Sequence, residues 1–176
     1  LITEFVRYLR GIESTCAGAP PRKVTLEAAM ESRLSTLDDD EKKLLDTLAV
    51  AARPLSPLIA ARAAGISDGQ RAITTLREKQ LVRTSRAGES ETLQTYHDRI
   101  GEVVILRLPK ADIADAHLRI ASAIEAAGHD DAESLALHFR AAGARWKASH
   151  YAALAARKAT DALAFDRAAS LYRQAI

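Results

Sequence analysis

The stretch LVRTSRAGESETLQTY, residues 81–96, decides how the chain is read. Leu81-Val82-Arg83-Thr84 and Thr92-Leu93-Gln94-Thr95-Tyr96 carry the β-branched and aromatic side chains that strands favour, and the polar run 85–91 between them contains Gly88. Two such runs joined by a short polar loop predict an antiparallel hairpin. Working upstream, capping signals mark three short helices. Asp38 followed by Glu41 is a capping pair, and Leu44, Leu45, Leu48 and Ala52 form one buried stripe before Arg53-Pro54. Ser56 caps a second helix, Pro57 takes its first position, where a missing N–H costs nothing, and Gly65 closes it. Ser67 with Gln70 predicts a capping box for a third helix, which buries Ala72, Ile73 and Leu76 and ends near Lys79. Downstream of the hairpin, Asp98 is expected to cap a helix bearing Ile100, Val103, Val104 and Leu106.

Three short helices followed by a hairpin form the winged-helix arrangement, so residues 38–108 are expected to be a winged-helix domain with a two-stranded wing. Residues 1–37 read as a helical lead-in. Ile2, Phe5, Val6, Leu9 and Ile12 lie on one helical stripe that starts at the first residue without an N-cap, and it is expected to continue from a preceding element. A second lead-in helix, Leu26 to Leu34 capped by Thr25, turns Leu26, Met30, Leu34 and Leu37 inward.

Alanine marks the remainder. Of 36 alanines, 23 lie from Ala111 to Ala175, and no proline follows Pro109, so this third of the chain must be helical. Residues 109–131 hold a connecting helix, about Ile113 to Ala126, that buries Ala116, Ile120, Ala123 and Ile124 and closes at Gly128. Residues 132–176 hold helices at about 132–142, 145–160 and 165–175. There Leu135, Ala136, Phe139, Gly143, Ala148 and Ala155 match most positions of a tetratricopeptide repeat, a 34-residue helical hairpin. Tyr151 sits one place from the expected aromatic, and Ala168, Tyr172 and Ala175 repeat the second-helix pattern. The array is expected to continue past Ile176. The fold class is therefore mainly α: a winged helix followed by the start of a tetratricopeptide-like array.

Composition excludes several classes. With 48% hydrophobic and 27% charged residues the chain is neither disordered nor collagen-like, and no apolar run approaches the roughly 18–20 residues of a membrane span. One cysteine, Cys16, forms no internal disulfide, which favours a reducing, cytoplasmic setting. A net charge of +2 lacks the basic excess that by itself predicts nucleic-acid binding.

Catalytic chemistry is not expected here. None of the eight glycines makes a phosphate-cradling Gly-x-x-x-x-Gly-Lys loop, and the five histidines fall into no metal-ligand spacing. No catalytic residue, metal or cofactor is assigned to this segment. His138 and His150 are read as filling helix faces, and His129 as lying in a turn. In a DNA-reading winged helix, the third helix enters the major groove and the wing meets phosphate. Arg71, Arg77 and Lys79 are the candidates for such contacts, with Arg83 and Arg86 toward the wing. Asp68, Glu78, Glu89 and Glu91 offset that charge, so no nucleic-acid partner is expected and a DNA-binding transcriptional regulator is the alternative reading.

The most pointed feature is Tyr96-His97-Asp98, where the second strand enters the next helix. Together with Arg99-Ile100-Gly101-Glu102-Val103-Val104, then Ala116-His117-Leu118-Arg119-Ile120-Ala121, then Leu135 to Gly143, this order of motifs resembles the part of STAND-type signalling ATPases that follows the ATPase domain. These AAA-related switch proteins include regulators with a LuxR-type output domain and fusions with a serine/threonine kinase. The likeness covers nearly the whole chain, and its opening, Leu1 to Leu9, is similar to the helix after the family's nucleotide-contact motif. Tyr96-His97-Asp98 is similar to the Met-His-Asp motif of related nucleotide switches, with Tyr in the first place. The resemblance implies that His97 reaches the β-phosphate of ADP in the full-length parent, which binds ATP or ADP. It also implies that the parent's own ATPase domain is one partner of this segment. An unknown protein or small-molecule ligand of the helical repeats is the other expected partner, and no membrane is.

Overall fold

The computed structural model describes residues 26–87, 90–128 and 131–175. Nine helices and one two-stranded antiparallel sheet make up these residues, so the fold is mainly helical. In chain order they are α1 (Leu26–Ser35), α2 (Asp39–Ala51), α3 (Pro57–Ala64), α4 (Gly69–Glu78), β1 (Val82–Ala87), β2 (Ser90–Thr95), α5 (Asp98–Arg107), α6 (Lys110–Ala126), α7 (Ala132–Ala141), α8 (Arg145–Asp161) and α9 (Phe165–Ala175). The opening helix, the Cys16 loop, the Thr25 cap, the Gly88 turn and His129 lie outside the described residues, as do the side chains of Leu26 and Met30.

Local chemistry explains most boundaries. The Asp38 carboxylate accepts from the Glu41 N–H at 2.8 Å while Glu41 accepts from the Asp38 N–H at 3.2 Å, a complete capping box. Ser56 caps α3 behind Pro57, and Gly65 ends it in the left-handed conformation at φ 67°. Three expected boundaries are corrected. Asp68, not a Ser67–Gln70 pair, caps α4, because helix geometry begins at Gly69 and puts the Asp68 carboxylate under the Arg71 N–H at 3.0 Å. Asp98 is already the first residue of α5; His97 takes the cap position and its side chain makes no capping bond. Ala52 is not part of the buried stripe. It ends α2 at φ 52° and is exposed, since the chain must turn before Pro54. The strands run further toward the turn than expected, pairing Val82 with Thr95 through Ala87 with Ser90, while Leu81 and Tyr96 lie just outside them.

One apolar core runs from Leu34 and Leu37 through Leu44, Leu45, Leu48, Leu76, Leu93 and Ile120 to Leu135, Phe139 and Ala148. A smaller cluster of Ala132, Ala155, Ala156, Ala159, Ala168 and Leu171 joins α7, α8 and α9. α8 buries five alanines, Ala148, Ala152, Ala155, Ala156 and Ala159, because small side chains let α7 and α9 approach it from both sides. The sheet is tied in by a bridge that no local signal announces. Leu55, between α2 and α3, exchanges both backbone hydrogen bonds with Leu93, at 2.9 and 2.7 Å.

Two glycines should respond oppositely to alanine. A Cβ on Gly69 would lie 2.7 Å from the Ala61 Cβ, so α4 starts against α3 only because the side chain is absent. On Gly101, in the middle of α5, a Cβ would meet Thr95 and Ala49 at 3.8–4.0 Å, ordinary contact. Gly69→Ala is expected to destabilise by about 1–3 kcal/mol through overpacking. Gly101→Ala is expected to be neutral or to stabilise by about 0.4–1 kcal/mol through lower unfolded-chain entropy. Paired urea melts check the signs.

Candidate functional site

Tyr96, His97 and Asp98 form an exposed corner where β2 passes into α5. The Tyr96 N–H donates to the Leu81 carbonyl at 2.9 Å, which pins the end of β2 to the start of the hairpin, and the His97 carbonyl accepts from Ile100. The corner backbone is thus held by the fold while the His97 ring stands outside it. The ring meets Tyr96 edge-on, with centroids 4.8 Å apart. Beside the corner lies an open groove of about 350 Å³ between α2, β2 and α5. Arg53, Gln94, Asp98 and Glu102 give it polar edges, and Leu48, Ala49 and Gly101 its floor. Sequence reasoning marked Asp98 but not Arg53 or Gln94, which come to the groove from elements far apart in the chain.

The three candidate DNA contacts are arranged differently. The Arg71 guanidinium lies 2.8 Å from Asp38 and 3.9 Å from both Asp40 and Asp68. Its hydrogen bond to Asp38 raises its pKa, and the Asp38 carboxyl is lowered first by the Glu41 N–H and then by Arg71. Lys79 Nζ donates to the buried Glu41 at 2.9 Å and to the Thr36 carbonyl at 3.3 Å. Each carboxylate of the α2 capping box is therefore clamped by a cation from one end of α4, Arg71 in its first turn and Lys79 at its C-cap. Arg77 alone of the three is exposed and makes no ion pair among the described residues.

A second polar cluster sits where α6 meets α7. His138 is fully buried, and its Nδ1 lies 2.8 Å from Nδ1 of the half-buried His117. One ring must donate and the other accept, so one proton lies between the two Nδ1 atoms and the accepting ring carries its own on Nε2. Nε2 of His138 has no hydrogen-bond partner among the described residues. Burial, then His117 and Arg53, push the His138 pKa down to about 4, and burial lowers His117. His138 does fill a helix face, but the partner 21 residues away was not legible.

No group of three or more His, Cys, Asp or Glu side chains able to hold a metal occurs among the described residues. No helix among them is long and apolar enough to cross a membrane. The chain matches no family model, no curated protein and no solved structure.

Proposed function

We propose that this chain is a non-catalytic regulatory and protein-interaction segment of an ATP-regulated, cytoplasmic signal-transduction protein of the STAND type. In this reading residues 38–108 are a winged helix and residues 132–176 begin a tetratricopeptide-like array. The segment works by docking on the parent's ATPase domain when ADP is bound. The observation that carries the reading is the His97 corner: an imidazole on a fixed backbone, exposed, with no side-chain hydrogen bond of its own among the described residues. Such a group offers an N–H to a phosphate oxygen supplied from outside. The Leu55–Leu93 bridge supports the winged-helix part, since a short extended piece between the first two helices pairs with the hairpin there. The stacking of Phe139 on Tyr151, at 5.6 Å, supports the repeat part by joining the two helices of one hairpin. The clamping of Arg71 and Lys79 by carboxylates speaks against a DNA-reading role, because cations already neutralised release few counterions on a duplex.

His97→Ala is expected to leave the melting of this chain within about ±0.5 kcal/mol, as for other exposed positions. In the full-length protein the same change should speed ADP release about tenfold or more, the loss of one charge-assisted hydrogen bond of about 1.5–3 kcal/mol. Asp98→Ala should cost the chain only about 0.5 kcal/mol, a helix-dipole effect rather than a lost cap. A melting loss for His97→Ala with an unchanged ADP off-rate would make His97 a structural residue. Nanomolar, sequence-specific duplex binding weakened by Arg77→Ala would favour the regulator reading instead.

A further inference from the structure

The outward face of α8 carries a large exposed aromatic side chain. Trp146 is 78% exposed, the chain's only tryptophan, and its ring stacks on His150 with centroids 5.8 Å apart and planes 10° from parallel. His150 in turn meets Tyr151 edge-on at 5.2 Å, and Tyr151 stacks on the buried Phe139. Tyr151 and Lys147 both donate to Glu125 of α6, at 2.7 and 2.8 Å. An indole at the surface is thus the outer end of an aromatic series anchored in the core, so its position is set before anything binds. Leu154 and Arg157 continue the stripe at helical spacing, over about 16 Å of helix from Trp146. The charged side chains of α8 itself have one sign, with Lys147 already taken up by Glu125 of α6. From Arg145 to Thr160 α8 carries Arg145, Lys147, Arg157 and Lys158 and no carboxylate, and Arg145 and Arg157 are exposed.

We infer that this face, Trp146–His150–Leu154 edged by Arg145 and Arg157, is a docking surface for an acidic amphipathic helix of a partner protein. A partner helix of about three turns fits the stripe's length, with its apolar side over Trp146 and Leu154 and its carboxylates toward the two arginines. Preorganised Trp and Arg are the residue types that dominate such contacts. A second copy docking through the same face is a poorer occupant, because its α8 would bring the same cations and carries no carboxylate before Asp161. The inference rests on the proposed function only in taking the helical pairs as an interaction surface; the outcome at His97 leaves it untouched.

The test uses this chain and an 18-residue helical peptide with leucines on one face and glutamates flanking them, beside a version with lysine at every glutamate. The acidic peptide should produce a saturable blue shift of Trp146 emission at sub-millimolar concentration, and the lysine version none. By anisotropy of labelled peptide, Trp146→Ala and Arg157→Glu should each weaken binding at least tenfold while leaving the melting temperature unchanged. Arg157→Glu should in addition gain affinity for the lysine peptide. Three results would overturn the inference: no saturable shift, equal binding of both peptides, or the same shift on concentrating the chain alone, which would make a second copy the occupant.

Discussion

Phe139→Ala is expected to cost about 3–5 kcal/mol, the range for emptying a fully buried aromatic site that cannot collapse. The ring is entirely buried on α7, stacks flat on Tyr151 of α8, and lies under Lys147 Nζ at 4.8 Å from its centroid. It also belongs to the main core, together with Leu135 and Ala148, whereas most of the apolar contact between α8 and α9 belongs to the separate alanine cluster. Removing it therefore loosens the join between α7–α9 and the rest. Native-state hydrogen exchange should show protection falling in α7–α9 by more than in α2–α5. Equal loss throughout would mean that the described residues open as one unit.

Acidification should be the other large effect, and its sign is fixed by His138. The ring is held neutral, with a pKa pushed down to about 4 from an ordinary 6.5, so between those values the unfolded chain binds the extra proton. Stability is then fully present above pH 6.5, declines as pH falls, and is lost below about 4, an amount on the order of 3 kcal/mol. Protonation would leave a cation buried between His117 and Arg53 with Nε2 unbonded. Asp131, the cap of α7, is the anion near the ring and partly opposes the effect. His117, lowered by burial, adds to the slope in the same direction. Glu125, held below its usual range chiefly by Lys147, also loses stabilisation in acid, so the comparison must be between variants. His138→Leu should flatten the slope of unfolding free energy between pH 6.5 and 4. An unchanged slope would show that the carboxylates alone carry the acid response.

The helices were legible because their signals are local. Asp38 and Glu41 satisfy each other's N–H groups three residues apart, Pro57 and Gly65 bracket α3, and apolar spacing marks Ile73 with Leu76 or Ile120 with Ile124 as buried. Where two local signals compete, reading fails by one residue: Ser67 and Asp68 both suit a cap, and the backbone chooses the one that lets Gly69 approach Ala61. At His97-Asp98 the same ambiguity matters for function, since it moves the imidazole, not the carboxylate, to the cap position.

Among the described residues, the sequence by itself determined where the chain is helical, where two strands pair as a hairpin, and that an alanine-rich last third must pack helix on helix. It also drew attention to His97, whose exposure follows from its place at a strand-to-helix corner. Tertiary structure alone decided which charges are spent and which remain. Arg71 and Lys79 look alike with Arg77 along the sequence, yet they meet Asp38 and Glu41 across 33 and 38 residues. Leu55 meets Leu93, and His117 meets His138, by the same folding of distant segments. The physical reason is range. Caps and periodicity act within one helical turn and can be read from neighbours, whereas ion pairs, bridges and buried ring contacts depend on the packing of elements far apart in the chain.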